Sequence, residues 1–514
     1  MLNAHQLQKG FRHMNRNRSL LIIAVAIASL FVAAGGYGEV THGEFAQALV
    51  RSMGLERELP VSALPRDYTD YLEMLGIEPV DGWEPRDMMS EDDAIITIAR
   101  AKGFTGRINR EDADRFLKDR KITVNADDLA SIKAIEEKLR SVIDRRRMKG
   151  PLKLSLSGAF EFQFDDNLYL RPKDNSATSD SLFIITPGGD VEYARGDLSL
   201  FSDYKVRYIT YYEWDKDHIN HYLKGGLRYM VNDRLALGIN EEFSLRNNPR
   251  LDRPITDLYS SGDPIMANDV SVGSRYQLTE LVLADVSMRV KTIEYQEHDF
   301  NYFVDRNVYQ GNGELSYDLP GLTITSLLAG YNVAYGDWKA EDKQNMSHII
   351  YGGVKHKLVE FLTGILKIGY EHRYYFHSKD RNMAYVDGQL YSTFSNIYKV
   401  SAEYHLALAD SSRDDYKAYL EDSLGIKAEF IFTPTLSAIG DARYSFNKYL
   451  EDDNIAYNET ENDDNVFDIT LELRKELTSW LFASIGYNNR NRNAEFHDEG
   501  YADNRYIATV KAVF

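Results

Sequence analysis

The sequence has no cysteine among its 514 residues, which excludes a disulfide framework, a thiolate metal site and a cysteine nucleophile. Basic residues are outnumbered, and the net charge of −19 argues against nucleic acid as a partner. Beyond residue 36 no apolar run is long enough for a transmembrane helix. Any membrane residence of the exported chain would therefore have to come from strands.

The amino terminus has the layout of an export signal. Four basic residues between Lys9 and Arg18 precede a continuous apolar run from Leu20 to Ala34, and small residues follow at Gly35-Gly36. An uncleaved anchor is the alternative, but the run is shorter than the roughly 20 residues that span a bilayer. The pattern predicts a secretory signal peptide over residues 1–36.

Residues 37–150 predict a small helical domain. Apolar residues recur at helical spacing from Val40 to Gly103. The phrase Val40-Thr41-His42-Gly43-Glu44-Phe45-Ala46, and a second copy at Ser90-Glu91-Asp92-Asp93-Ala94, resemble the opening helix of S-layer-homology modules, which bind cell-wall polymers. His42 and Glu91 stand where that family commonly has arginine. The resemblance implies cell-wall polymer as a partner; the alternative is a small helical domain with another partner or none.

A further helix is predicted from residue 125 to residue 147. Asn125 or Asp127 can cap it, and apolar residues form one stripe along it. This helix could pack on its own domain, form a short coiled coil or plug the mouth of a barrel formed by the rest of the chain. Gly150-Pro151 then marks the boundary.

From Leu152 to the end of the chain the hydrophobic period is two, which indicates strands. Tight turns such as Asn232-Asp233 and Thr478-Ser479 alternate with long, polar, acidic connections. The pattern predicts a closed antiparallel transmembrane β-barrel of about 18 strands over residues 151–514. A soluble propeller or sandwich is the alternative, but no blade motif recurs.

Strand parity assigns the two faces of the predicted barrel. Apolar residues such as Val286 and Met288 alternate with charged ones such as Arg289 and Lys291, so the charged set should line the lumen. Glu241 is an exception on the apolar parity, which suggests a strand end, a bulge or a wrong register. Ten basic residues are predicted to line the pore: Lys205, Arg207, Lys224, Arg228, Arg289, Lys291, Lys355, Lys357, Arg373 and Arg443.

On that parity basic residues outnumber acidic ones, although the chain as a whole is acidic. Rings of Lys and Arg favour anions at a pore, so we expect a lumen that prefers anionic solutes. The alternative is that these charges form ladders that bridge neighbouring strands and leave no net preference.

The last strand runs from Arg505 to Phe514 and places Tyr506, Val510 and Phe514 on one face. A strand that ends on an aromatic carboxy-terminal residue resembles the closing strand of bacterial outer-membrane β-barrels, whose last residues are the insertion signal. The resemblance implies that Tyr506 and Phe514 belong to that signal. It also implies an outer-membrane location, with membrane lipid and the barrel-assembly machinery as partners, and keeps the helical domain in the periplasm.

The segment Gly158-Ala159-Phe160-Glu161-Phe162-Gln163-Phe164-Asp165-Asp166-Asn167-Leu168-Tyr169, with Thr433-Pro434 and Leu477-Thr478-Ser479-Trp480-Leu481, resembles the β-barrel porin type 2 family, some of whose members are associated with exopolysaccharide export. This implies a passive outer-membrane channel for polar or anionic solutes, with a secreted acidic polysaccharide as one cargo. It implies no catalytic residue, cofactor or metal, so we do not expect an enzyme.

Two other functions stay open at this point. The barrel could anchor an envelope tether that holds the cell wall through the helical domain, or it could be a surface receptor or adhesin with an occluded pore. The sequence leaves the oligomeric state open.

Overall fold

The computed structural model describes the chain in segments between residues 40 and 514; the predicted signal peptide lies outside them. No helix in these segments is long and apolar enough to cross a membrane. The described residues are 40–53, 55–56, 59, 62–75, 77–79, 82–85, 87–102, 110–131, 134–136, 138–139, 152–168, 178–195, 197–213, 217–247, 265–295, 305–319, 325–339, 343–359, 362–394, 398–411, 418–433, 435–450, 463–494 and 500–514.

The described residues between 40 and 139, called here the helical domain, contain four α-helices. These are α1 (His42–Met53), α2 (Pro65–Met74), α3 (Glu91–Ala101) and α4 (Arg110–Lys118). They pack around one apolar core in which Phe45, Tyr68 and Ile98 are fully buried. The helices form because each supplies an apolar face at helical spacing to this core.

The two copies of the repeated sequence phrase build the same local structure. Thr41 and Glu44 form reciprocal hydrogen bonds at the start of α1, and Ser90 accepts from the Asp93 backbone at the start of α3. The extended segments before the two helices pair antiparallel, through Thr41 and Met88. Each copy is therefore a capped helix start, and a short antiparallel bridge joins the two helix starts.

The opening of α1 is closely packed. A Cβ on Gly43 would lie 2.7 Å from Cβ of Pro65 and 2.8 Å from the Pro85 carbonyl oxygen. Burial is the first cause that lowers the pKa of His42, and its Nδ1 accepts a hydrogen bond from the Glu84 backbone. A neutral imidazole therefore occupies the position where the resembling family has a cation.

The predicted helix over residues 125–147 is wrong in its first turns. Residues Ala126–Leu129 form a 3₁₀ turn that Asn125 caps, and a bend follows it. Residues 134–136 and 138–139 are helical, with Ile135 and Leu139 fully buried in the core of the helical domain. Asp127 and Asp128 crowd the first turn, and such residues compete for backbone hydrogen bonds and favour turns over helix interiors. The rest of the predicted helix lies outside the described residues.

Eighteen antiparallel strands make up the remainder of the fold. They are β1 (Leu152–Asp165), β2 (Asp180–Arg195), β3 (Leu198–Tyr211), β4 (His218–Asn232), β5 (Leu235–Arg246), β6 (Ile265–Gln277), β7 (Val282–Tyr295), β8 (Arg306–Asp318), β9 (Thr325–Trp338), β10 (Asn345–Val359), β11 (Leu362–Tyr375), β12 (Arg381–Phe394), β13 (Tyr398–Asp410), β14 (Ala418–Thr433), β15 (Leu436–Leu450), β16 (Asp463–Thr478), β17 (Leu481–Ala494) and β18 (Tyr501–Val513).

Each strand pairs with its sequence neighbours, and β1 also pairs with β18, so the sheet closes on itself. The register at the seam puts Ser157 opposite Val513 and Asp165 opposite Arg505. The predicted strand number and the closure are thus confirmed. Several strands extend further toward the long connections than predicted, because polar residues there continue the ladder without an apolar alternation.

The two ends of the barrel differ in their connections. Two residues join β2 to β3 and β4 to β5, whereas the segments between β1 and β2 and between β5 and β6 are long. We call the end with the short connections the short-turn end. Leu152 and Phe514 both lie there, since the Leu156 and Phe514 backbones exchange hydrogen bonds of 2.7 and 3.0 Å.

The outer face of the barrel is apolar and exposed. Met288 and Phe514 are 68% and 70% exposed. Other outward side chains that are exposed include Leu156, Ile185, Tyr208, Tyr331, Ile350, Ile368, Tyr370, Ile426, Ile485 and Tyr506.

Glu241 also lies on this outer face, in mid-strand, opposite Gly225 on β4 and Val270 on β6. The register around it is continuous, so none of the three explanations suggested by the sequence holds. Its carboxylate projects from an otherwise apolar surface.

Candidate functional site: the lumen and its mouth

Strand registers place the ten predicted pore-lining residues on the inward face. Arg289 and Lys291, for example, share a face with Asp269 and Asp285, opposite the exposed Met288. The inward parity follows from the strand pleat, which sends successive side chains to opposite faces. Most of the ten cations do not stand free in the lumen but have carboxylate partners.

These partners lie on the same strand, on the neighbouring strand or beyond one or two intervening strands. Arg207 lies 3.0 Å from Glu161, and Lys224 lies 2.8 Å from Glu242. The remaining pairs within the barrel wall include Lys205 with Asp203, Arg289 with Asp269, Arg373 with Glu371 and Asp410, Lys367 with Glu314, and Arg443 with Glu421.

Several of these acids were missing from the sequence-based count. Glu161, Asp203 and Asp269 face inward although that count did not include them. The net positive charge that parity predicted for the lumen wall was therefore overestimated. Any preference for anions has to come from particular places where a cation lacks a carboxylate.

Two such cations lie on neighbouring parts of the wall. Within the part of the chain that the structure describes, Lys291 and Arg246 have neither an ion pair nor a hydrogen bond, and the Arg246 Nε atom is shielded from solvent. Lys427 and Lys511 are likewise unpaired inward cations among the described segments. These four cations form no ion pair with a described residue, although Lys291 lies opposite Asp269 and Lys427 lies opposite Asp441 in the strand registers.

A cavity of about 670 Å³ opens along the wall formed by β1, β3 and β13 to β18. Its lining is polar and of mixed charge. The charged residues that line it are Glu161, Arg207, Glu403, Lys427, Asp441, Arg443, Asp468, Arg490 and Arg505. The barrel therefore encloses solvent-sized space bordered by groups that suit polar solutes.

The other side of the lumen is occupied at the short-turn end by the helical domain. Arg228 of β4 is 7% exposed and lies 3.0 Å from the Glu56 carboxylate. Its guanidinium also donates to the carbonyl oxygens of Glu56 and Leu59, at 3.1 and 3.0 Å. Met230 on the same strand belongs to the apolar core of the helical domain. The domain is thus packed against the inner wall.

Glu56 is the centre of this contact. It accepts hydrogen bonds from Arg51, from Tyr68 and from Ser199 of β3. Burial by itself would raise the pKa of Glu56, but Arg51 and Arg228 outweigh it and lower the pKa to about 2. The Tyr68 hydroxyl beside it is held neutral, because burial first and then the Glu56 charge raise its pKa to about 12.

Helix α2 presents a charged face to the barrel wall. Tyr68 and Leu72 are fully buried in the core of the helical domain, whereas Asp67, Asp70 and Glu73 recur every three residues on the charged face. We call these three acids the α2 stripe. Because one face of α2 is buried in the helical domain, the opposite face with the α2 stripe is directed to the barrel wall.

Each member of the α2 stripe pairs with a cation of the barrel. Asp67 pairs with Arg275 of β6, and Glu73 pairs with Lys357 of β10. The Asp70 carboxylate lies 3.2 Å from Nζ of Lys355. We call Arg275, Lys355 and Lys357 the mouth cations. Two of them were predicted to line the pore, but no sequence signal indicated that acids of the helical domain would cover them.

A further ion pair of opposite sense joins Arg66 of α2 to Asp318 at the end of β8. Arg275 and Lys357 each lie two residues from their strand ends, and Arg228 lies four from its end. At about 3.3 Å per residue, the contacts reach no more than roughly 13 Å into the barrel. The helical domain therefore sits in the mouth rather than deep in the lumen.

A group of three acids lies at the opposite end of the seam. Carboxylate oxygens of Asp165, Asp166 and Asp503 lie within 4.8 Å of one another. Arg505 lies 2.9 Å from Asp165 and 3.2 Å from Asp503, so a guanidinium already supplies the counter-charge. Asn504 donates to the Asp166 carboxylate at 2.7 Å. The group joins β1 to β18 and thus has a structural use.

The two predicted insertion-signal residues lie on the outer face of β18. The Phe514 ring stacks on Trp480, with centroids 5.6 Å apart, and Tyr506 contacts Phe164 and Tyr487. These aromatic contacts tie β18 to β1 and β17. Their use as an insertion signal stays a prediction.

Comparisons with known proteins add little to this geometry. No family model matches the chain, and no curated protein matches it; the resemblances to the porin and S-layer-homology families therefore stay predictions. Among solved structures, the chain is similar to OpdQ of Pseudomonas aeruginosa, with 10% identity over 71% of this chain and 98% of that one, at a TM-score of 0.40.

Two other solved structures are similar at the same TM-score of 0.40 and 10% identity, each over 71% of this chain. They are OccK2 (OpdF) of Pseudomonas aeruginosa in complex with glucuronate, covered to 98%, and OccAB4 of Acinetobacter baumannii, covered to 99%. A likeness at this level carries no argument about function.

Proposed function

We propose that the protein is an outer-membrane channel of porin type through which polar and anionic solutes pass passively. One observation carries the proposal: a closed 18-stranded barrel has an apolar, exposed outer face and a charged inner face. Soluble proteins rarely expose so large a contiguous apolar surface to water. A bilayer covers it, and the closed sheet leaves no backbone edge unpaired in lipid.

The connections supply the orientation. Bacterial barrels have short periplasmic turns and long outside loops. The short-turn end would therefore face the periplasm, together with the helical domain and Phe514. This arrangement agrees with the export of the helical domain ahead of the barrel.

The proposed preference for anions rests on local charge rather than on the whole wall. Lys291 and Arg246 lack carboxylate partners in the described structure, and unpaired cations in a pore attract anions. Small carboxylates and phosphates are the solutes that such a surface suits. A secreted acidic polysaccharide as cargo is supported only by the family resemblance of the sequence.

Single-channel recording on the purified full-length protein in planar bilayers tests the channel. We expect discrete conductance steps and, in a KCl gradient, a reversal potential with the sign of chloride preference. A cation-selective reversal potential would contradict the anion preference. Absence of steps, both in the native protein and in variants that release the helical domain from the mouth, would contradict the channel itself.

A second function, a tether to the cell wall, is favoured by the two joined helix starts at Thr41 and Ser90. They reproduce, twice, the segment that resembles S-layer-homology modules. Co-sedimentation of the full-length protein with purified cell wall tests this function, with solubilised wall polymer as competitor. If the protein stays in the supernatant at all wall concentrations, the tether is excluded.

A further inference from the structure

The helical domain and the barrel meet through charges of opposite sign, with acids mainly on the domain and cations mainly on the wall. The acids of the α2 stripe are on the domain, and the mouth cations are on two strands of the wall, Arg275 on β6 and Lys355 and Lys357 on β10. Arg228 adds a fourth cation of the wall, which meets Glu56. A surface that would otherwise attract anions at the periplasmic mouth is thus covered by carboxylates of the same chain.

These contacts are of two kinds. The Arg228 contact is buried and includes hydrogen bonds to two backbone carbonyl groups. By contrast, the side chains of Asp70 and Lys355 are 37% and 34% exposed, and those of Glu73 and Lys357 are 34% and 24% exposed. Half-exposed ion pairs are individually weak and are screened by salt. The Asp67 and Arg275 side chains are more buried, at 19% and 15% exposed. The Asp70–Lys355 and Glu73–Lys357 pairs are therefore the part of the contact that can exchange most readily.

We propose that α2 is a removable plug, and that the three carboxylates of its stripe occupy a binding site for anionic solutes formed by the mouth cations. Solutes with several carboxylate or phosphate groups compete with the stripe for Arg275, Lys355 and Lys357. Release of α2 widens the mouth and uncovers the positive charges of Lys355 and Lys357 at the same time. Arg275 loses Asp67 but keeps Asp285 of β7, 2.7 Å away, as a partner. Opening and anion preference are then coupled. This inference rests on the proposed channel function and extends it.

The geometry accounts for competition by multivalent anions in particular. The stripe places three carboxylates in succession along the helix, and each has a cation within ion-pair distance. A monovalent anion can replace one contact and leave two. A multivalent anion can bind two neighbouring cations, such as Lys355 and Lys357, together. Once one of its carboxylates is bound, the effective concentration of the next at the second cation is high.

The first readout is the accessibility of the contact, measured without any conductance. The native chain lacks cysteine, and Ser199 is 6% exposed beneath Glu56, with its Oγ 2.8 Å from that carboxylate. A Ser199→Cys reporter, placed in every protein compared, therefore reacts with a water-soluble maleimide only when the helical domain moves away. We expect citrate to accelerate labelling. Acetate at matched ionic strength, and sucrose in NaCl of that ionic strength, should leave the labelling rate unchanged.

Substitutions in the α2 stripe and in the mouth cations test whether these ion pairs hold the helical domain in place. Asp67→Asn/Asp70→Asn/Glu73→Gln should accelerate labelling on the order of tenfold, because three ion pairs between the helical domain and the wall are lost together. Lys355→Gln/Lys357→Gln should act in the same direction from the barrel. The swap Glu73→Lys/Lys357→Glu should restore much of the protection that either single change removes, which a mere folding defect would not produce.

A matched control neutralises the same number of acids but leaves the contact between α2 and the barrel wall intact. Glu111→Gln/Asp112→Asn/Asp114→Asn alters three acids of α4, where Asp112 and Asp114 pair with Arg115 and Lys118 of the same helix. Its labelling rate should equal that of the reporter alone. Equal rates in the stripe variant and this control, with no response to citrate, would overturn the plug.

The second readout is conductance, and it separates this inference from the channel function. We expect the stripe variant to show larger or more frequent openings than the control, with a shift of the reversal potential toward chloride. Faster labelling without any conductance would support the plug and contradict the channel function. If the native protein conducts, and the stripe variant changes neither conductance nor labelling, the channel function is supported and the plug is contradicted.

Discussion

The guanidinium of Arg228 lies 3.0 Å from the Glu56 carboxylate, across a sequence separation of 172 residues. The Arg228 side chain is buried, the Glu56 side chain is 15% exposed, and Arg51 approaches the same carboxylate from the helical domain at 3.2 Å. One acid thus holds two cations, one from each part of the chain. The seating of the helical domain in the mouth depends on this arrangement.

Glu56→Gln should weaken the seating of the helical domain. Loss of one member of a buried ion pair leaves an uncompensated charge and costs about 3–5 kcal/mol. We expect the domain to become sensitive to protease at a lower urea concentration, while the barrel keeps its resistance to SDS. Glu111→Gln, an exposed acid on α4, is the control. Identical urea profiles for the two variants would contradict the central role of Glu56.

The same contact should depend on pH in a defined window. The pKa of Glu56 is about 2 in the folded protein, below the ordinary value of 4.5. A depressed carboxyl pKa stabilises the folded form fully above the ordinary value, and this contribution is lost as pH falls from 4.5 toward 2. We expect protease resistance of the domain to fall over this range in the native protein. In Glu56→Gln, the part of this dependence that is due to Glu56 should be absent.

Arg505→Met should destabilise the seam of the barrel. Asp165 and Asp503 are fully buried, and removal of the guanidinium between them breaks its ion pairs with both carboxylates, at about 3–5 kcal/mol. The temperature at which the folded band unfolds in SDS gels should fall. Lys511→Met, on the same strand and face, removes a cation that has no partner in the described segments, and should have a much smaller effect.

Phe514→Ala should reduce assembly. The change removes the stack on Trp480 and shortens the apolar end of β18, where the seam begins. We expect a several-fold lower yield of heat-modifiable barrel in the outer membrane. Val510→Ala, a change on the same exposed face, is the control. Equal yields would show that the terminal aromatic residue is not part of the insertion signal.

Neutralisation of Lys291 and Arg246 should lower the preference for anions. Lys291→Gln/Arg246→Gln removes two charges that form no ion pair with a described carboxylate. The reversal potential in a KCl gradient should move toward zero, with little change in stability, because no ion pair is broken. Lys448→Gln, at an exposed position on the outer parity of β15, should leave selectivity unchanged. An equal shift in both proteins would exclude a local origin of the preference.

Period-two patterning was sufficient for the barrel. The alternation of Met288 with Arg289 fixes which side chain faces outward once the strand exists, because the pleat has only two faces. The alternation of short and long connections then gives antiparallel neighbours and an even strand number. Local pattern also placed Phe514 beside the start of β1, since a closed sheet leaves no other partner for the last strand.

Other features had no local signal. Asn125 caps a 3₁₀ turn rather than the long helix that the apolar stripe suggested. Glu241 lies on the outer face in an uninterrupted strand, so the sequence explanation from a bulge or strand end failed. By contrast, Glu161 and Asp203 share the parity of the inward residues of their own strands, since Asp203 lies two residues before Lys205. Parity alone could have placed both acids in the lumen.

The amino-acid sequence by itself determined the strands, their faces and the closed sheet, since these depend on a period of two that repeats over hundreds of residues. Only the tertiary structure decided which charges meet. Asp70 and Lys355 are separated by 285 residues, and no sequence period relates a helix face to a barrel wall. A single ion pair contributes too little free energy to impose a pattern on the chain, so its partner emerges only when the helical domain is seated in the mouth.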